Sequence, residues 1–186
     1  FKNTKPTMTI EQYFDGPVKA WGLLQDRSGK VTRQFKADMT GSFEGDILTL
    51  KEDFYWTDGE KQNRIWKIKK IDQNYYEGTA PDVVGTAKGY QYGSAFKFEY
   101  DLMVPFKGKN IKVSFDDWIF KQDEDVAINR ATLTKFGFKV GELTVFFKKK
   151  LREIQKKNTR KKRKNKQRKL SPRIKSKKIF VFFDLN

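Results

Sequence analysis

Histidine and cysteine are both absent from this 186-residue chain. Without cysteine there is no disulfide frame, no thiol nucleophile and no thiolate metal site. Without histidine the usual near-neutral general base and the commonest metal and haem ligand are missing. Most enzyme chemistries fall with these two residues, so the expectation is a protein that is not an enzyme, with no cofactor and no metal. Long apolar runs are missing too. No stretch approaches the roughly 20 residues that carry a helix across a bilayer. The chain opens with Phe1 instead of Met, as a removed signal peptide or a shortened chain would leave it.

Positive charge is plentiful but confined. The chain carries a net +17, of which +13 lies in residues 151–186, where fifteen Lys/Arg face only Glu153 and Asp184. Residues 1–150 hold a net of only +4. The chain divides into a flexible lead-in over 1–9, one domain over 10–150, and a basic low-complexity tail over 151–186. The tail has no period-two apolar face and no heptad, and mutual repulsion favours disorder. Its Lys, Asn, Arg, Ile and Phe are residues of A/T-rich codons. It therefore reads either as the product of a frameshift in an adenine run near Lys148–Lys150 or as a working basic tail.

The body alternates. Val31, Arg33, Phe35, Ala37 and Met39 fall on one face and Thr32, Gln34, Lys36, Asp38 and Thr40 on the other, the mark of a half-buried strand. Similar runs recur at 42–50, 52–57, 62–71, 74–80, 86–92, 95–104, 109–120, 126–136 and 140–148. Turn chemistry separates several of them, including Asp58-Gly59, Tyr92-Gly93-Ser94 and Lys107-Gly108-Lys109. Upstream, Gly16-Pro17 interrupts any helix over Ile10–Leu24. A long antiparallel meander closes on itself to remove its edges. The expected fold is all-β, an up-and-down barrel of about eight to ten strands.

FDGPVKAWGLLQDRSGKVTRQF (14–35), EDFYWTDGEKQNRIW (52–66), YYEGTAPDVVGTAKGYQYGSAF (75–96) and FDDWIFKQDEDVAINRATLTKFGFKVGELTVFFKK (115–149) resemble, in order, a bacterial family of predicted lipoproteins. It is catalogued as domain-of-unknown-function family 3833. The resemblance implies a lipocalin-like barrel and, in many members, a lipid anchor ahead of the domain. It thereby implies a periplasmic, membrane-tethered protein, and it brings no established activity.

Strand parity selects the candidate binding residues. Arg33 shares a face with Val31 and Phe35, and Arg64 with Trp66 and Ile68. Asp117 lies with Val113 and Phe115, and Arg130 with Val126 and Ile128. Charge on an apolar face needs an explanation, since an unpaired buried charge is strongly disfavoured. One reading is a cavity in which Arg33, Arg64 and Arg130, with Asp117 and Trp66, hold the polar end of an amphipathic molecule. The other is an internal Arg–Asp network that closes a filled barrel, with Trp21 stacked on Arg130. The glycines at 78, 85, 89 and 93 lack a phosphate-loop pattern and read as bends or close backbone approaches. Gln122-Asp123-Glu124-Asp125 lacks EF-hand spacing and reads as a hairpin turn.

The expectation is a monomeric envelope protein that binds an apolar or amphipathic small molecule. A structural or interaction module with a filled barrel is the alternative. A further one is non-specific attachment of the tail to polyanions, either nucleic acid or anionic membrane.

Overall fold

A computed structural model describes residues 1–149; the expectations about the tail lie outside the described residues. Ten antiparallel strands form a closed barrel in which each strand pairs with its sequence neighbours and the last pairs with the first. They are β1 (Gly16–Asp26), β2 (Val31–Glu44), β3 (Ile47–Trp56), β4 (Lys61–Lys70), β5 (Tyr75–Thr79), β6 (Val83–Tyr92), β7 (Ala95–Phe106), β8 (Lys109–Lys121), β9 (Val126–Lys135) and β10 (Phe138–Lys149).

Two sequence expectations need correction. The segment around Trp21 is a full strand, β1, because Gly16 at φ 94° turns the chain into the sheet and Pro17 sits beside it at the strand's start. The runs 42–50 and 52–57 are not two strands. The turn falls at Gly45-Asp46, and Lys51 continues β3 as an outward residue between buried Leu50 and Glu52.

Period two sorts the side chains as expected. Phe35, Phe96, Phe98, Leu102, Val113 and Phe115 are all buried. Where rings crowd the interior, glycines make room. Gly22 lies opposite Phe35, and a Cβ at Gly22 would stand 2.2 Å from that ring. Gly78 lies under Phe98 in the same way, and Gly89 under Phe96.

One end of the barrel is plugged by the N-terminal segment. Met8 and Ile10 are buried, and α1 (Ile10–Tyr13) is a single turn. Part of the expected flexible lead-in is therefore packed, with the Met8 amide donating to the Gly93 carbonyl at 2.7 Å. Tyr13 donates from its hydroxyl to the Asp125 and Phe147 carbonyls. Glu11 pairs with Lys70 at 2.6 Å and accepts from the Tyr76 hydroxyl at 2.9 Å. The turns β1–β2, β3–β4, β5–β6, β7–β8 and β9–β10 gather at the opposite end, as an up-and-down order requires.

Candidate functional site

Midway along the barrel the apolar interior is interrupted by polar side chains, with apolar residues such as Leu102, Val113 and Leu133 packed beyond them toward the second end. Alternation along β3 sends Leu48, Leu50, Glu52, Phe54 and Trp56 inward, and along β4 Arg64, Trp66 and Ile68. Glu52 and Arg64 are register partners, and Arg64 Nη1 lies 3.6 Å from Glu52 Oε2. The β5–β6 turn brings Asp82 over them. Arg64 Nε donates to Asp82 Oδ1 at 2.9 Å and Nη2 to Oδ2 at 2.6 Å, a two-pronged bond. Only 20% of the Arg64 side chain is exposed. Burial by itself would lower its pKa, but the Asp82 bond and the Glu52 charge outweigh burial and hold it protonated.

A second polar group stands on β7, β8 and β9. The Tyr100 hydroxyl donates to Asp117 Oδ2 at 3.1 Å, and Asn129 donates through Nδ2 to Asp117 Oδ1 and to the Trp118 carbonyl. Asp117 and Glu52 both titrate far above ordinary carboxyls. Burial raises each to about 7, while the Tyr100 bond opposes the rise at Asp117 and the Arg64 charge opposes it at Glu52. The Glu52 charge raises Asp117 further, so the two groups sense each other across the interior. Burial also raises Tyr100 well above its ordinary value, with the Asp117 charge adding to it. Trp66, Phe98, Tyr100 and Phe115 form a wall of successive ring contacts at 5.1–5.3 Å between centroids.

Three polar atoms in this region are buried without a hydrogen-bond partner among the described residues: Glu52 Oε2, Trp56 Nε1 and Asn129 Oδ1. Two are acceptors and one is a donor. Such atoms cost roughly 1–3 kcal/mol each when nothing meets them.

The residues singled out from the sequence divide. Arg64, Trp66 and Asp117 face the interior as parity required, and the β7–β8 register runs through Asp116 and Asp117 without a bulge. Arg33 also turns inward but sits at the rim. It lies over the Trp56 ring at 3.9 Å and pairs with Asp58 and Glu60 at 2.7 and 2.6 Å. Arg130 needs correction. It does share a face with Val126 and Ile128, but that face points outward, and its side chain is 61% exposed, paired with Glu142 at 3.1 Å. It lines an outer groove with Phe1, Trp118 and Phe120. Trp21 is also on the outer surface, packed on Phe146, and lies across β10 from Ile128 instead of Arg130. Asp117 is not the arginines' counter-ion, because Asp82 and Glu52 serve Arg64 while Asp58 and Glu60 serve Arg33.

Parity puts Tyr100 on the inward face with Phe96 and Phe98, but the candidates drawn from the sequence do not include its hydroxyl, nor Glu52, Asn129 or Asp82. Alternation with Leu48, Leu50 and Phe54 carried the signal for Glu52. Asp82 lies in a turn, where no periodicity points.

The geometry defines a lipocalin-like protein: a closed antiparallel barrel, plugged at one end, with two groups of polar side chains set among its interior rings. The family described as "Protein of unknown function (DUF3833)" matches residues 1–149, and the chain belongs to it. No curated protein matches the chain. Among solved structures, it is similar to the S-type phycobiliprotein lyase CPES from Guillardia theta at 10% identity and a TM-score of 0.55, over 78% of this chain and 95% of that one. A redesigned beta barrel aligns at 11% identity and a TM-score of 0.41, over 78% of this chain and 100% of that one. At such identities the likeness concerns the fold.

Proposed function

We propose that the barrel binds an amphipathic small molecule, with its apolar part on the interior rings and a hydrogen-bond donor as its polar end. The observation that carries this reading is Asn129 Oδ1, a buried acceptor with no hydrogen-bond partner among the described residues, in the same interior as the aromatic wall. Ligand sites generally fix a molecule's orientation with a few polar groups among apolar walls. The anionic head group suggested by the arginines alone has less support, since Asp82 and Glu52 already engage Arg64. A donor such as a hydroxyl, amide or ammonium group meets Asn129 Oδ1 instead. The protein acts as a binder or carrier and not as a catalyst. Its place in the cell envelope behind a lipid anchor, which the sequence resemblance implies, belongs to the same proposal.

The test is a titration of the full chain with dodecanol, dodecylamine and dodecanoate below their micellar concentrations, monitored by tryptophan fluorescence. Trp56 and Trp66 stand beside the polar cluster. Saturable micromolar binding of the alcohol or the amine is expected, weakened about tenfold or more by Asn129→Leu. Saturation by dodecanoate alone would restore the anionic reading, and no saturation by any of the three would leave the filled structural barrel.

A further inference from the structure

The rim of the barrel opposite the plug carries the two most exposed rings among the described residues, and a third beside them. The β9–β10 turn presents Phe136 at 88% exposure and Phe138 at 76%, and the neighbouring β7–β8 turn presents Phe106 at 53%. Val31 and Val140 are exposed nearby. The β8–β9, β10–β9 and β1–β10 ladders make the β7–β8, β9–β10 and β1–β2 turns consecutive around this end. Soluble surfaces seldom gather such residues without a use for them.

Phe136 is also held in an unfavourable backbone. Its φ is 52°, and Gly137 beside it is at 80°, so both central residues of the turn are left-handed. Such turns strongly prefer Asn-Gly or Asp-Gly, and a bulky side chain at positive φ is a true outlier that tends to accompany function. The β7–β8 turn repeats the geometry with Lys107 at 48° and Gly108 at 74°. A turn selected for stability alone would not place a ring at the one position that penalises it.

Charge completes the patch. Arg27, Lys30, Lys107, Lys109, Lys135 and Lys139 surround these tips, with Lys107 over the Phe106 ring at 5.4 Å and Lys135 over Phe136 at 5.3 Å. The acids nearby are already engaged. Asp26 accepts from Ser28 and from the Lys30 amide within its own turn, and Glu142 pairs with Lys139 and Arg130. The carboxylates Asp58, Glu60 and Asp82 belong to the β3–β4 and β5–β6 turns, on the other arc of the rim. Exposed aromatics interleaved with lysines are the chemistry that settles at a bilayer surface: rings enter the interfacial layer and ammonium groups meet anionic head groups.

We infer that the arc of the rim formed by the β7–β8, β9–β10 and β1–β2 turns docks on an anionic lipid bilayer, with Phe106, Phe136 and Phe138 entering the interface. Docking there turns the unplugged end of the barrel toward the lipid. It depends on nothing about the interior and stands whether or not the barrel carries a ligand.

The experiment is co-sedimentation of the full chain with sucrose-loaded vesicles of phosphatidylcholine and phosphatidylglycerol at 3:1, compared with a Phe106→Ser/Phe136→Ser/Phe138→Ser chain. Both chains keep the same basic residues 151–186, so attachment through that segment cancels between them. The partition coefficient is expected to fall at least tenfold in the triple variant. Equal partition of the two chains overturns the proposal and leaves binding to the basic segment. A dimer in sedimentation velocity that the triple change dissociates while vesicle partition stays put also overturns it, assigning the patch to a second copy. Phe136→Asn supplies an independent reading. Because Asn suits the left-handed position, its melting temperature should rise by about 2–4 °C while vesicle binding falls. Lower binding with an unchanged or lower melting temperature would show that the backbone at Phe136 is not held under strain for this purpose, and would overturn that part of the inference.

Discussion

Glu52 and Asp117 are the residues at which solvent pH reaches the barrel's interior. Burial raises both to about 7 from ordinary values of 4.5 and 3.8, so the folded chain holds protons that the unfolded chain would release. Stability from such groups is complete below the unfolded values and is lost as pH climbs through the folded ones. The melting temperature should therefore fall as pH rises from about 4 to about 7 and level off above that, a loss of at least about 1 kcal/mol of stability, since each pKa unit carries about 1.4 kcal/mol. A Glu52→Gln/Asp117→Asn chain should flatten that slope, because the amides stay neutral throughout. Calorimetry across the window checks both statements, and a wild-type melting temperature that rises with pH would show that the two carboxyls are ionised when folded. Asp82, partly exposed, holds the Arg64 guanidinium through two hydrogen bonds beside Glu52.

At the level of the strand, the Phe35, Phe96 and Phe98 rings inside the barrel each depend on a glycine facing them. Gly22→Ala places a methyl group 2.2 Å from the Phe35 ring, and overpacking of this kind costs about 1–3 kcal/mol. Denaturant melts should register that loss, and Phe35→Leu in the same chain should return most of it. A Gly22→Ala chain as stable as the wild type would mean that Phe35 is not pinned against β1. The same pairing of large with small explains what the sequence disclosed and what it hid. Alternation placed Phe96, Phe98 and Leu102 inside because only one face of β7 is richly apolar. In β9 the inward face is Ala127, Asn129 and Ala131 and the outward one is Val126, Ile128 and Arg130. Hydrophobicity alone therefore chooses the wrong face, since small residues are needed where rings from other strands fill the space. Arg130 was misplaced for that reason. β1 was hidden by Gly16-Pro17, which reads as a helix breaker and does equal service at the mouth of a strand. Arg64, Trp66 and Asp117 were legible because their strands carry large apolar neighbours on the same face. Their partners were not, because Asp82 reaches Arg64 across 18 residues by way of a turn.

For the molecule as a whole, closure of the sheet is complete by Lys149, which pairs with Val18. Deleting residues 151–186 should therefore leave the calorimetric transition of the body within about 2 °C, because all ten strands remain paired. A truncated chain that fails to fold would show that the barrel depends on residues 151–186. The pairing of β1 with β10 also has a consequence during synthesis. Every other ladder joins strands that leave the ribosome one after the other, but one edge of β1 must wait for about 120 further residues to be made. At common elongation rates that is on the order of ten seconds. Throughout that interval the nascent sheet can grow only outward from β2, and its first strand keeps a row of bare amides and carbonyls that only the last strand covers.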